Sequence, residues 1–178
     1  MNWRWGLAGL VAAALAVSPM ACFNRGGAAG PKAAAVDPRG REVAKLNFTV
    51  KDMNGHDVAL ASFRGHPIVL NFWATWCGPC RLEIPHLVEL ADEYRGQGLV
   101  VLGISIDDEP SDLRAFAPTL RMNYPILVGK DHEDLLAAYD AVYGIPISVF
   151  IRPDGTVALK QPGYNSKAWF DQQIRSLF

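Results

Sequence analysis

The chain has 178 residues, half of them hydrophobic and a fifth charged, which is the composition of one globular domain with enough apolar material for a core. Its formal net charge of -1 leaves no basic excess to neutralise phosphates, which excludes a nucleic-acid partner and leaves small molecules or other proteins. Three cysteines are too few and too unevenly spaced for a disulfide-stapled scaffold, and a domain of this size needs no staples, so cysteine here serves chemistry.

Arg4 precedes an apolar stretch from Leu7 to Val17, closed by Ser18-Pro19-Met20-Ala21-Cys22. This is the layout of an export signal, so residues 1–23 read as a signal or membrane anchor and the protein is expected outside the cytoplasm, tethered to the membrane. Cys22 has three readings: a lipid acceptor after signal removal, a residue just past an ordinary cleavage site after Ala21, or part of an uncleaved anchor. From Asn24 to about Arg41 the composition turns to glycine, alanine and proline with no apolar period, so 24–42 reads as a flexible linker. The folded domain is expected over 43–178.

Within the domain, Leu46, Phe48 and Val50 alternate with polar residues, and Asn54-Gly55 turns the chain into Val58 and Leu60, predicting an opening hairpin. The near-continuous run Pro67 to Trp73 predicts a central strand covered on both faces. It ends at the cysteines. Ile84, Leu87, Val88, Ala91 and Tyr94 then recur at helical spacing, and Leu99 to Ile104 reads as a second buried strand, so a parallel crossover joins the two. A helix from Pro110 carries Leu113, Phe116, Ala117 and Leu120 on one side, followed by a short apolar run, Tyr124 to Val128. Asp131 is positioned to cap another helix with Leu135, Leu136 and Tyr139 inward. Ile147–Ile151 and Thr156–Leu159 flank the turn Arg152-Pro153-Asp154-Gly155 as an antiparallel pair, and Ser166 caps a final helix with Trp169, Phe170, Ile174 and Leu177 inward.

Cys77 and Cys80 sit where a buried strand gives way to a helix. Cys77 therefore meets unpaired backbone N–H groups and the positive end of the helix dipole, both of which favour a thiolate. The thiolate is the attacking species, so Cys77 is the expected nucleophile on a partner disulfide. Cys80, one turn further in, is placed to resolve the mixed disulfide. Pro79 suits a first turn whose N–H would be unpaired in any case, and Gly78 leaves room for an incoming chain. A structural zinc site would need a second ligand pair, and the four histidines are single and scattered. Trp73 reads as a core aromatic and Trp76 as an exposed apolar contact for partners. Arg81 either stabilises the thiolate or solvates its helix face.

The run Phe72-Trp73-Ala74-Thr75-Trp76-Cys77-Gly78-Pro79-Cys80-Arg81 resembles the redox motif of thioredoxin-fold proteins, and the resemblance covers about residues 43 to 178. It implies an α/β thioredoxin fold, with a central mixed sheet flanked by helices, an N-terminal hairpin and an inserted helical segment. Gly144-Ile145-Pro146 matches the fold's second landmark, which implies a cis Pro146 opposite the cysteines and an Ile145 backbone offered to an extended partner strand. The signal, linker, hairpin and long segment between Ile106 and Tyr143 are similar to the TlpA/ResA branch, related to the AhpC-TSA redoxins. Thioredoxin has a buried aspartate where this chain has Asn71, which cannot exchange a proton with Cys80. The TlpA/ResA branch has a glutamate three residues after the second cysteine, and Glu83 stands there, placed to accept the resolving thiol's proton. Pro85 is expected to orient that turn.

The expected function is thus an extracytoplasmic thiol-disulfide oxidoreductase that reduces protein disulfides. The resemblance implies apocytochrome c as substrate class, a membrane thiol as electron donor and no cofactor. Two other functions use the same residues. A peroxiredoxin-type thiol peroxidase needs a proline and threonine around a single peroxidatic cysteine, and Thr75 is misplaced for that. A copper(I) carrier would use Cys77 and Cys80 with a histidine.

Overall fold

The computed structural model describes residues 35–178. The predicted export signal, Cys22 with its three readings, and the linker up to residue 34 lie outside the described residues. Among the described residues no helix is long and apolar enough to cross a membrane.

The apolar run ahead of the cysteines forms strand β3 (Ile68–Trp73), and all six of its residues are buried. Such a strand needs neighbours on both edges and cover on both faces. On one side it pairs in parallel with β4 (Val100–Ser105), Ile68 facing Val100 and Trp73 facing Ser105. On the other it pairs antiparallel with β6 (Ile147–Ile151), Asn71 facing Ser148. A parallel neighbour requires a long crossover, and helix α1 (Gly78–Tyr94) supplies it. Strand β5 (Ile126–Val128) extends the parallel side and β7 (Val157–Pro162) the antiparallel side, giving the order β5-β4-β3-β6-β7. This mixed sheet flanked by helices is the thioredoxin arrangement expected from the motif.

Helix α2 (Pro110–Phe116) is one turn shorter than the apolar spacing predicts. Ala117–Leu120 continues it as a 3-10 turn containing Pro118, which has no N–H to extend an α-helical ladder. Helix α3 (Glu133–Ala138) is not capped by Asp131. His132 holds the cap position without a side-chain bond, and a tight turn puts Asp131 in the left-handed region at φ 66°. Helix α4 (Lys167–Arg175) starts as predicted, with Ser166 Oγ accepting the Trp169 N–H at 3.3 Å.

The opening hairpin is real but short: β1 (Thr49–Lys51) and β2 (Asp57–Ala59) pair as a separate two-stranded sheet. Leu60 leaves it to begin a 3-10 turn and is fully buried. The Met53 N–H donates to the Ile126 carbonyl, tying the hairpin to β5. Residues 35–42, read as the end of the linker, are folded onto the domain. The Asp37 carboxylate accepts from the Arg39 and Arg41 backbone N–H groups, Val36 bridges to Glu42, and Arg41 pairs with Asp154 at 2.9 Å. The sequence signal missed this because the turn is held by polar side chains and carries no apolar period.

Two apolar clusters cover the sheet. One joins Leu70, Phe72, Leu102, Ile104, Leu135 and Tyr139, the other Val69, Leu87, Leu90, Phe150, Phe170 and Ile174. A third, at the carboxyl end of β3, contains the cysteines.

Candidate redox site

Strand β3 delivers the chain through Ala74, Thr75 and Trp76 to Cys77, which has extended backbone angles and serves as the amino-terminal cap of α1. Its sulfur accepts the Cys80 N–H at 3.3 Å. Cys77 and Cys80 are joined as a disulfide, and both are buried, Cys80 more deeply. Pro79 occupies the first turn of α1, where it gives up no hydrogen bond. A Cβ at Gly78 would meet nothing within 4 Å and Gly78 is exposed, so what the glycine keeps open is the outer surface beside the sulfurs.

Glu83, one turn beyond Cys80, is only 1% exposed. It lies on the buried face of α1 with Cys80, Ile84 and Leu87. Its Oε1 accepts from Asn71 Nδ2 at 2.8 Å and from Ser148 Oγ at 3.5 Å, and its Oε2 accepts the Asn165 backbone N–H at 3.1 Å. Burial pushes its carboxyl up to about 7, against the three hydrogen bonds, which favour the charged form. The group is therefore poised to exchange a proton near neutrality. Asn71 also donates to Ser148 Oγ at 3.0 Å, while its carbonyl oxygen has no partner. Both donors of that amide are thus spent on the acidic side of the site. Ser148 and Asn165 went unnoticed in the sequence. Ser148 has a signal, a polar residue inside an otherwise apolar strand; a backbone N–H such as that of Asn165 has none.

Trp73 is fully buried, whereas Trp76 is 63% exposed, with its indole N–H directed at Asp107 at 3.0 Å. Arg81 is exposed and lies over the Phe116 ring, 5.7 Å from its centre. The Ile145–Pro146 peptide is cis. Ile145 packs against the cluster holding both cysteines, and the Pro146 carbonyl accepts the Gly163 N–H at 2.8 Å. Tyr143, Ile145, Pro146 and Gly163 line a pocket of about 300 Å³, and Tyr143 is 87% exposed. Among the described residues no group of three His, Cys, Asp or Glu side chains is arranged to hold a metal ion.

The AhpC/TSA family model matches residues 42–160. The thiol-disulfide oxidoreductase ResA of Geobacillus kaustophilus is 30% identical over 131 residues, spanning 74% of this chain and 74% of that protein. ResA of Bacillus thuringiensis is 29% identical over 131 residues, spanning 74% and 75%. Among solved structures, a secreted Mycobacterium tuberculosis disulfide oxidoreductase homologous to E. coli DsbE superposes with a TM-score of 0.67 at 28% identity, covering 74% of this chain and 97% of that one.

Proposed function

We propose that this chain, which belongs to the AhpC/TSA family and within it to the ResA-type thiol-disulfide oxidoreductases, reduces the disulfides of protein partners outside the cytoplasm. The observation that carries the reading is a buried disulfide at a helix start, with its outer sulfur capping the helix and the Glu83 carboxyl buried one turn behind the inner one.

In the reduced protein, the Cys77 thiolate is stabilised by the N–H groups of the first turn. It attacks one sulfur of the partner's disulfide; a Cys77–partner disulfide forms and the partner's other sulfur leaves as a thiolate. Cys80 then gives its proton to Glu83 and attacks Cys77. The partner's second sulfur leaves, the Cys77–Cys80 disulfide closes, and two electrons have passed to the partner. A thiol donor on the membrane restores the dithiol, which a reductant needs where disulfides are the default product. Trp76 and the Ile145 backbone hold the partner segment, Pro146 shapes its groove, and Gly78 with Pro79 leaves the approach to Cys77 clear.

The extracytoplasmic site rests on the amino-terminal layout of charge, apolar run and Ala21-Cys22. Apocytochrome c is the substrate class we place first, from the resemblance to the TlpA/ResA branch. Insulin reduction with Cys77→Ser and Cys80→Ser variants tests the chemistry: both should be inactive, and activity surviving in Cys77→Ser sinks the reading. Proteins trapped on Cys80→Ser in the native host should be exported ones carrying cysteine pairs; capture of cytoplasmic proteins alone would sink the location.

A further inference from the structure

Helix α1 begins at a weak cap. The usual oxygen of Ser, Thr, Asp or Asn is replaced by the Cys77 sulfur, a poor acceptor, and this sulfur is also the atom that changes partners during exchange. Something else has to hold the turn before it.

The end of β4 supplies the missing oxygens. Asp108 is buried although charged residues rarely are, and both its oxygens are engaged. Oδ1 accepts from Thr75 Oγ1 at 2.5 Å, and Oδ2 accepts from the Thr75 N–H at 2.9 Å and from Ser105 Oγ at 2.5 Å. Ser105 is itself anchored, its carbonyl accepting the Gly129 N–H at 2.7 Å, and the next residue, Ile106, donates to the Trp73 carbonyl at 3.0 Å. The carboxylate thus stands on the rigid carboxyl ends of β3, β4 and β5. It grips the backbone and the hydroxyl of Thr75, two residues before the attacking sulfur. Its neighbour Asp107 takes the indole N–H of Trp76 through both oxygens, at 3.0 and 3.2 Å. Two consecutive carboxylates therefore hold the two consecutive residues that lead into Cys77.

We propose that Asp108 and Asp107 are positioning residues for the disulfide exchange: Asp108 holds the Thr75–Cys77 turn in place while the Cys77 sulfur is engaged with a partner, and Asp107 fixes the Trp76 ring as a preset contact for the partner segment. The proposal rests on Cys77 being the attacking residue. Burying a carboxylate is costly unless its hydrogen bonds are satisfied, and here two of the three come from Thr75, on the approach to the nucleophile. Small displacements of a reacting group cost large factors in rate.

The two roles separate in steady-state reduction of insulin by the full-length protein, measured where every variant is folded by circular dichroism. Thr75→Val removes the hydroxyl held by Asp108 at nearly constant volume, and Thr75→Ser keeps it. Thr75→Val should lower kcat by about tenfold or more, and Thr75→Ser should stay within about twofold of the parent. Asp107→Ala should raise KM several-fold with kcat held, because only the preset of Trp76 is lost. Asp108→Ala should follow Thr75→Val; if it does not fold, the threonine pair decides alone. Equal kcat for Thr75→Val and Thr75→Ser, or an unchanged KM in Asp107→Ala, overturns the proposal for that carboxylate. An inactive parent, or an active Cys77→Ser, overturns instead the reading on which it rests.

Discussion

Glu83 is a carboxyl in a place where ionisation is penalised. Its folded value of about 7 lies above the ordinary 4.5, with burial as the leading cause. A raised value means the folded state holds the proton more tightly than the unfolded chain. Stability from this group is therefore fully present below about pH 4.5 and is lost as pH rises towards 7 and beyond. At about 1.4 kcal/mol for each pH unit, the loss is roughly 3 kcal/mol. Glu83→Gln should remove it: urea unfolding at pH 8 should show the variant more stable than the parent, with the difference vanishing near pH 4. Its activity should move the other way. In the proposed mechanism the ionised form accepts the Cys80 proton, so insulin reduction should rise through about pH 7 in the parent. In the variant it should be about a hundredfold lower, without that inflection. A variant no more stable at pH 8 than at pH 4, relative to the parent, would contradict the burial account. At this scale the residues the sequence singled out lie within one motif, Cys77 and Cys80 by their place at a helix start and Glu83 by the resemblance to the TlpA/ResA branch, and the structure brings Glu83 into the buried face of the same helix. Asp108, Ser148 and Asn165 were not singled out, because they reach the site across the sheet, from 33 residues beyond Thr75 and from 65 and 82 residues beyond Glu83.

The elements that present these residues depend on a few tight points. At Gly129, after β5, a Cβ would stand 2.6 Å from the Ser105 carbonyl oxygen and 2.9 Å from Ile104. The oxygen belongs to a buried strand and cannot move aside, so Gly129→Ala should cost about 2 kcal/mol or more. It should also disturb the Ser105–Asp108 platform. A melting temperature equal to the parent's would contradict this. Ser166 caps α4 in the way its side chain and the following apolar spacing imply, and Ser166→Ala should cost about 1 kcal/mol. Asp131 had the same local credentials and does not cap. Its turn places it at positive φ, a backbone choice made by the loop between β5 and α3 that no single residue announces. The α1 and β3 signals were clear because long periodic or continuous apolar runs survive such local competition.

On the scale of the whole domain, the redox pair stands at the carboxyl end of the central strand β3, with Ile145 of the Ile145–Pro146 loop packed against the cluster that holds it. The mixed sheet was legible from the alternation of strands and helices. The amino-terminal boundary was less so, since residues 35–42 are fastened to the β6–β7 turn by Arg41, Asp154 and the Val43–Thr156 bridge. A chain starting at Leu46 should therefore melt several degrees below one starting at Ala35; equal melting of the two would show that this fastening carries no stability. The central claim, that Cys77 attacks and Cys80 resolves, is tested most directly by mass spectrometry of covalent adducts formed with a disulfide-bearing polypeptide. Cys80→Ser should accumulate a reductant-sensitive adduct mapped to Cys77, and Cys77→Ser should form none. An adduct on Cys80 in the Cys77→Ser variant, with none on Cys77 in its counterpart, would contradict the assignment.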